Sequence, residues 1–196
     1  METLKLTGKH IFLLLIYSPG LSQNINEPIL GKTRIVKGMF LFDKEIKKDF
    51  LKNSNLEIIK FPEFYSWKFG PFAKEIYDDI EFFINNGFLV EDYLDYEKND
   101  VEVIEEKEYE EEFSLTNEFD ESQIVKVESQ YFLTKKGRDF IAEKYFSKLS
   151  DNQKSILKKF KASINKATIP AIIRYTYVKY PDFTEHSIIR ERILGY

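Results

Sequence analysis

The sequence contains no cysteine, and its 196 residues include only two histidines and a single tryptophan. The absence of cysteine excludes disulfide bonds, thiolate zinc sites and a cysteine nucleophile. It also suits a reducing compartment, so we expect a cytoplasmic protein. The histidines, His10 and His186, lie near opposite ends of the chain, and neither has a second histidine at ligand spacing. We therefore expect no metal site.

Motifs for common catalytic chemistry are also missing. The chain has no glycine-rich phosphate loop of the P-loop or dinucleotide type and no Gly-x-Ser-x-Gly nucleophile elbow. Acidic residues are abundant, but their arrangement singles out no pair of catalytic carboxylates. We expect a non-enzymatic protein that has no catalytic residue and needs no cofactor.

Long apolar runs are scarce. The stretch HIFLLLIY at 10–17 faintly resembles a secretory signal, but it is short, follows the acidic Glu2, and has no A-x-A-like cleavage site after it. It also falls far short of the roughly 20 residues that span a bilayer. We predict instead a buried first helix, capped by Thr7 and ended at 18–20, and no membrane association.

Hydrophobic residues and charge are both plentiful, and the charge is uneven. Hydrophobic residues make up 43% of the chain and include 18 Phe and 12 Tyr, enough for an aromatic-rich core. The net charge is -4, yet residues 134–196 carry 14 Lys or Arg against 6 Asp or Glu. This split indicates either that one half binds a polyanion or that the halves neutralise each other, within one molecule or across a dimer.

The segment Trp67–Val90, WKFGPFAKEIYDDIEFFINNGFLV, has the most regular pattern in the chain. Pro71 suits the first turn of a helix, where its missing N–H is not needed, and Gly87 supplies the left-handed residue that ends one. An apolar stripe of helical period predicts the buried face: Phe72, Ile76, Ile80 and Phe83. Lys74 is the only clear cation on the outer face, which otherwise carries carboxylates: Glu75, Asp78, Asp79 and Glu81.

A second helix is predicted at 34–50, with Thr33 as its N-cap. Its core stripe has helical spacing: Ile35, Met39, Phe42 and Ile46. The start of this helix offers three candidate phosphate contacts: Thr33, Arg34 and Lys37. The alternative is that these three residues form an ordinary solvated first turn.

An apolar strand start at 88–90 and a period-2 pattern at 126–133 predict an antiparallel hairpin, or wing. The insert at about 94–125 is far longer than an ordinary hairpin loop and contains the run EEKEYEEE. Such a run is usually a solvated segment, but it also offers carboxylates to a basic partner: Glu105, Glu106, Glu108, Glu110, Glu111 and Glu112. It lacks EF-hand spacing, so no metal is expected there.

The rest of the chain predicts further helices, each opened by a capping hydroxyl: Thr134, Ser150, Thr168 and Thr184. In the helix after Ser150, lysines recur at i, i+4 and i+7: Lys154, Lys158 and Lys161. They form the best basic patch of the chain, and they are either phosphate-binding or an ordinary solvated lysine face.

Four segments in this order resemble the YwgA-type and SocA antitoxin-like (Panacea) winged-helix proteins of bacteria and archaea. They are KTRIVKGMFLFDKE (32–45), the segment 67–90, YFLTKKG (131–137) and YTYVKYPDFTEHSII (175–189). The most specific pieces are the aromatic–Gly-Pro-Phe helix start and the Leu-Thr-x-x-Gly after the wing. The resemblance spans nearly the whole chain except the acidic insert, whose length departs from the short wing expected. It implies a non-enzymatic winged-helix module that binds DNA or proteins.

We therefore predict a mainly α protein with a small antiparallel β wing (α+β). A winged helix-turn-helix domain occupies 1–148, with its acidic insert at about 94–125, and a basic helical extension occupies 149–196. The first functional hypothesis is a DNA-binding, transcriptional-regulator-like homodimer that contacts phosphates through Lys74, the start of the second helix and the C-terminal lysines. Charge opposes it, because the helix before a wing usually enters the major groove and this one presents carboxylates.

The alternative hypothesis is a protein-interaction module, either antitoxin-like or a subunit of a larger assembly. It would present the acidic wing to a basic protein, such as a toxin, and opposite charge would steer their encounter.

Overall fold

The computed structural model describes residues 3–95 and 127–195, and the predicted acidic partner-binding run Glu105–Glu112 lies outside these ranges. The described elements are, in chain order, β1 (Leu4–Thr7), α1 (Gly8–Tyr17), β2 (Ile29–Leu30), α2 (Lys32–Leu41), a π-helical turn (Phe42–Ile46), α3 (Lys47–Leu51), β3 (Leu56–Lys60), β4 (Tyr65–Trp67), β5 (Gly70–Phe72), α4 (Lys74–Asn85), β6 (Leu89–Asp95), β7 (Val127–Leu133), α5 (Lys135–Lys144), α6 (Asp151–Lys166), α7 (Ile169–Lys179) and α8 (Arg190–Leu194), with 3-10 turns at Phe146–Lys148 and Pro181–Thr184.

This part of the chain is a mixed α+β fold, as the sequence predicts. One sheet has the strand order β2-β7-β6 and is antiparallel. Its β6–β7 pair is the predicted hairpin, with Leu89 opposite Leu133 at one end and Asp95 opposite Val127 at the other. Strand β2 was not predicted, because two residues are too few for an alternating pattern to show.

Two smaller strand pairs were not predicted. Strands β1 and β3 pair in parallel, and β4 and β5 form a tight antiparallel hairpin in which Pro71 lies opposite Ser66. The prediction that Pro71 begins a helix is therefore wrong, because α4 begins at Lys74. Proline suits either position, because neither the first turn of a helix nor the open side of an edge strand needs a backbone N–H donor. The buried helix stripe itself is confirmed at Ile76, Ile80 and Phe83.

The first helix is confirmed with its predicted ends. Thr7 precedes α1 in an extended conformation, and its backbone N–H donates to Nδ1 of His10 at 3.0 Å. The other ring nitrogen, Nε2, lies 2.9 Å from the hydroxyl of Tyr145 on α5. His10 thus links the start of α1 to α5, and both of its ring nitrogens have hydrogen-bond partners.

The second helix runs through α2, the π-helical turn and α3, and so covers 32–51. It begins at Lys32 after Gly31, whose φ is +74°, so the prediction that Thr33 is its N-cap is wrong. Thr33 lies one residue inside the helix and is buried. The π-helical turn inserts an extra residue into the helical ladder and rotates the following side chains, an irregularity found often at functional sites.

The C-terminal helices share the core of the rest of the molecule. Ser150 and Thr168 cap α6 and α7 as predicted. The side chain of each accepts a hydrogen bond from the backbone N–H of the residue three positions later. The buried side chains of these helices belong to one hydrophobic cluster with those of α1 and α2. Residues 149–195 are therefore packed as part of the main fold.

The last helix differs from its prediction. Thr184 does not cap it; this buried residue ends a 3-10 turn, in which its hydroxyl donates to the carbonyl of Pro181, and α8 begins only at Arg190. Among the helices that the structure describes, none has both the length and the apolar composition required to cross a bilayer.

Candidate interaction surfaces

The outward face of α4 is acidic. Lys74, Glu75, Asp78 and Glu81 are all exposed on it. The only cation of this face, Lys74, lies 4.0 Å from the carboxylate of Asp78, so its charge is partly neutralised within the helix. The exposed face therefore carries three carboxylates and one ammonium group, a charge that repels a phosphate backbone.

Asp79 does not belong to this outward face, contrary to the prediction. It is buried against α1, where its carboxylate pairs with Lys9 at 2.8 Å. Burial raises the pKa of Asp79, and the contact with Lys9 opposes that rise. This ion pair holds α4 to α1 and is a structural contact.

The three candidate phosphate contacts at the start of the second helix are buried. The guanidinium of Arg34 donates to the carbonyl oxygens of Leu30 at 3.1 Å and Ile164 at 2.7 Å, and also to that of Ala167. Arg34 therefore caps the C-terminal end of α6 from the side of α2. The prediction that Thr33 and Arg34 face solvent is wrong: α6 covers Arg34, and Thr33 is buried on the side of the β4–β5 hairpin.

Lys37 is buried in the same way. Its ammonium nitrogen lies 2.5 Å from the carbonyl oxygen of Phe69 and 2.9 Å from that of Pro71, so it holds the β4–β5 hairpin against α2. Burial lowers the pKa of Lys37 to about 7. A phosphate cannot reach this nitrogen without displacing the hairpin, so Lys37 is removed from the set of nucleic-acid contacts.

Lys161 is also interior, so the predicted three-lysine face of α6 is wrong at this position. Its ammonium group donates to the carbonyl oxygens of Ile16 at 2.6 Å and Ser18 at 2.7 Å. Burial lowers the pKa of Lys161 to about 7, and the carboxylate of Glu27 opposes the shift. The side chain points beneath the C-terminal end of α1 instead of into solvent.

The other two lysines of the predicted patch remain at the surface. Lys154 and Lys158 are both half-buried, and the ammonium of Lys154 lies 5.5 Å from the centre of the Phe146 ring. Lys159 and Lys166 are exposed on the same helix. The basic character of α6 is therefore real but follows a different set of residues from the predicted one.

An apolar groove of about 560 Å³ opens between the second helix, α6 and α7. We call it the α6–α7 groove. Its apolar lining includes Leu41, Ile46, Ile156, Phe160, Ile164 and Ile172. Polar groups stand at its mouth: Glu45 and Asp49 from the second helix, Lys159 and Ser163 from α6, and Tyr175 from α7. A groove of this volume with mainly apolar walls and few polar groups has the composition of a binding site.

Glu45 organises one side of this mouth. Its carboxylate accepts hydrogen bonds from the hydroxyls of Tyr175 at 2.9 Å and Tyr180 at 2.8 Å, and pairs with the ammonium of Lys179 at 3.0 Å. Burial by itself would raise the pKa of Glu45, but these donors hold it below its ordinary value. This cluster could not be predicted from the sequence, because the π-helical turn that directs Glu45 toward α7 has no recognisable local pattern.

Comparison of the chain with protein-family models, with curated proteins and with solved structures found no match. Within residues 3–95 and 127–195, no three histidine, cysteine or carboxylate side chains are grouped so that they can hold a metal ion. The site must therefore be interpreted from its own geometry.

Proposed function

We propose that this protein is a non-enzymatic winged-helix protein that acts by binding another protein, and that it does not read DNA with the helix before its wing. The order of its elements supports the winged-helix assignment. Helix α1 is followed by the short strand β2, by the second helix, by α4 after the intervening strands β3, β4 and β5, and by the β6–β7 hairpin. Within the three-stranded sheet, the first strand along the chain, β2, pairs with the last, β7, which gives the order β2-β7-β6 expected of this architecture.

The observation that carries the proposal is the electrostatics of the surface that a DNA-binding member would use. The outward face of α4 presents Glu75, Asp78 and Glu81, and its one ammonium group lies beside Asp78. Three of the predicted phosphate contacts, Arg34, Lys37 and Lys161, are instead bonded to backbone carbonyls in the interior. Phosphate neutralisation supplies most of the non-specific affinity for DNA, so this surface favours a protein partner.

The test is fluorescence-anisotropy binding to a random duplex and to the DNA upstream of the protein's own gene, between about 50 and 200 mM salt. We expect no salt-dependent binding by the wild type. A variant with Glu75→Lys, Asp78→Lys and Glu81→Lys is expected to gain salt-dependent affinity, because it gives α4 the charge of a groove-reading helix. Steep salt-dependent binding by the wild type that Lys74→Glu abolishes would contradict the proposal.

A matched control separates the position of the charges from their number. The variant Glu57→Lys, Glu143→Lys, Glu185→Lys makes the same change in net charge at three exposed positions that lie outside α4. A general gain of positive charge would raise DNA affinity equally in both triple variants. We expect the α4 variant to bind duplex DNA clearly more tightly than this control.

A second candidate function is phosphate binding through α6. The observation in its favour is that Lys154, Lys158, Lys159 and Lys166 all remain accessible on one helix. This mode would be sequence-independent and would lose about 0.9 in the logarithmic salt slope for each contact removed. Charge reversal at Lys154, Lys158 and Lys159 tests it, and Lys161 is left unchanged because it is a core residue.

The acidic run Glu105–Glu112 stays a sequence-based prediction of a contact with a basic partner. Its test is replacement of the six glutamates by glutamine, followed by co-purification with the product of the adjacent gene. Loss of a complex that the wild type forms in low salt would assign the contact to charge.

A further inference from the structure

Helix α7 is apolar on two faces, and only one of them is covered. Its buried face packs into the core through Ile169, Ile172, Ile173 and Tyr177. A second stripe runs along the outside at i, i+4 and i+7, formed by Ala171, Tyr175 and Val178, all exposed. Val178 is 65% exposed and Tyr175 is 44% exposed. An amphipathic surface helix usually has a single apolar stripe, so the outer one indicates a contact with a further surface.

This outer stripe is continuous with the α6–α7 groove. Ala171 and Tyr175 belong both to the stripe and to the lining of the groove, and Val178 lies one turn beyond them. The molecule thus places a protruding apolar helix edge directly beside an apolar depression. A two-fold arrangement of two copies can insert each stripe into the groove of the other, because an isologous interface uses the same patch twice.

The charges around the two features are complementary. Arg174 and Lys179 flank the outer stripe of α7, whereas Glu45 and Asp49 stand on the opposite wall of the groove. Glu45 is already paired with Lys179 of its own chain. Asp49 is exposed and forms no ion pair within the described ranges, and Arg174 donates only to the carbonyl of Ile193. The groove also carries the exposed Lys159, on its α6 wall. On the wall formed by the second helix, Asp49 offers a carboxylate that suits Arg174 of a second copy.

We propose that two copies of this chain form a two-fold dimer in which the outer stripe of α7 from one copy packs into the α6–α7 groove of the other. Arg174 of each copy faces Asp49 of the second copy. The inference goes beyond the proposed function and is independent of it, because a dimer of this geometry leaves open which macromolecule the protein binds.

The experiment measures the mass of the full chain by sedimentation equilibrium over a wide concentration range. The wild type is expected to show twice the monomer mass. Val178→Glu places a carboxylate in the apolar contact and is expected to raise the dimer dissociation constant more than about tenfold. Phe82→Glu is the matched control, because Phe82 is 48% exposed on α4, away from the proposed interface. The control is expected to leave the dissociation constant unchanged within about threefold.

A charge swap tests the geometry and guards against unfolding. Asp49→Arg alone is expected to weaken the dimer about tenfold, and Asp49→Arg with Arg174→Asp is expected to restore it within about threefold. The absence of native cysteine adds a direct measure. A mixture of two tagged single-cysteine proteins, Asp49→Cys and Arg174→Cys, should be joined into a heterodimer by a bis-maleimide reagent whose spacer replaces the reach of the two native side chains.

Three results would overturn the proposal. They are a monomer at every concentration, a dimer that Val178→Glu does not weaken, and a charge swap that fails to restore association. None of them bears on the DNA-binding comparison above. A monomer that also fails to bind DNA would contradict the proposed dimer and agree with the proposed function. A dimer that binds DNA with a steep salt slope would agree with the proposed dimer and contradict the proposed function.

Discussion

The ammonium nitrogen of Lys161 lies 2.6 Å from the carbonyl oxygen of Ile16, so a side chain of α6 closes the C-terminal end of α1. The same nitrogen donates to the carbonyl of Ser18 at 2.7 Å, and the lysine is fully buried. The last carbonyls of a helix have no intrahelical donors and carry the negative end of its dipole, so they favour a donor such as Lys161, although burial lowers the pKa of this lysine. This contact joins the C-terminal helices to the first one.

We predict that Lys161→Met lowers the free energy of unfolding by about 1 to 3 kcal/mol, because it leaves two buried carbonyl oxygens without a donor. Lys158→Met is the control, since Lys158 is half-buried on the same helix and should change stability by less than about 0.5 kcal/mol. Urea unfolding followed by circular dichroism measures both. Equal effects of the two substitutions would show that the carbonyl contacts contribute nothing specific.

Stability should increase from about pH 7 to about pH 10. Burial lowers the pKa of both Lys37 and Lys161 to about 7 in the folded state, while an unfolded lysine titrates near 10.4. Between these values the unfolded chain binds more protons, so the free energy of unfolding rises with pH, and below pH 7 the contribution no longer changes. Unfolding midpoints in urea at pH 7 and pH 9 check the direction.

The variant Lys37→Met, Lys161→Met provides the control for this pH dependence. It removes the two lysines whose pKa is lowered to about 7 among the described residues, so its unfolding midpoint should change much less between pH 7 and pH 9 than that of the wild type. A wild type whose stability falls over the same range would contradict the assignment of the effect to these two lysines.

Local patterns in the sequence were sufficient for most helices. Ser150 and Thr168 cap α6 and α7, as predicted. A cap is a hydrogen bond between residues only three positions apart, so the local sequence is enough to predict it. Gly87 ends α4 with a φ of +69°, also as predicted. The antiparallel hairpin was predictable for the same reason, since alternation within each strand reports which face is buried. All these features depend on neighbours along the chain.

The buried cations depend on distant contacts and could not be predicted in this way. Helical spacing puts Lys154, Lys158 and Lys161 on one face, but it does not show where along the helix another element crosses that face. The carbonyl that accepts a hydrogen bond from buried Lys161 belongs to Ile16, 145 residues away in the sequence. Pro71 is a similar case, because the choice between helix start and edge strand is made by pairing with β4.

The carboxylate of Glu45 should contribute to the raised pKa of Tyr180, in addition to burial. Burial and the hydrogen bond to Glu45 together raise the pKa of Tyr180 to about 12. Replacement of Glu45 by glutamine removes the negative charge beside the developing phenolate, so the pKa of Tyr180 should fall toward its ordinary value near 10. Ultraviolet titration of the tyrosines measures the change. Glu57→Gln, at an exposed position on β3, should leave the titration curve unaltered.

Gly137 should be irreplaceable even though it lies inside a helix. A Cβ atom built on it would stand 2.2 Å from the carbonyl oxygen of Phe88, a backbone atom that cannot move without displacing the start of β6. Thr134 holds the two segments together, because its hydroxyl accepts a hydrogen bond from Gly137 N–H and donates one to the carbonyl of Gly87. The close contact gives the Leu-Thr-x-x-Gly sequence after the wing a physical reason.

We therefore predict that Gly137→Ala lowers the free energy of unfolding by about 2 to 3 kcal/mol, although alanine is intrinsically the better helix former by about 1 kcal/mol. Gly38→Ala is the matched control in α2. Its new methyl would lie 3.2 Å from the terminal methyl of Ile164, a flexible group, so the helix propensity and the crowding should nearly cancel. Urea unfolding of both variants decides the point, because equal stabilities would mean that α5 can shift away from Phe88 at little cost.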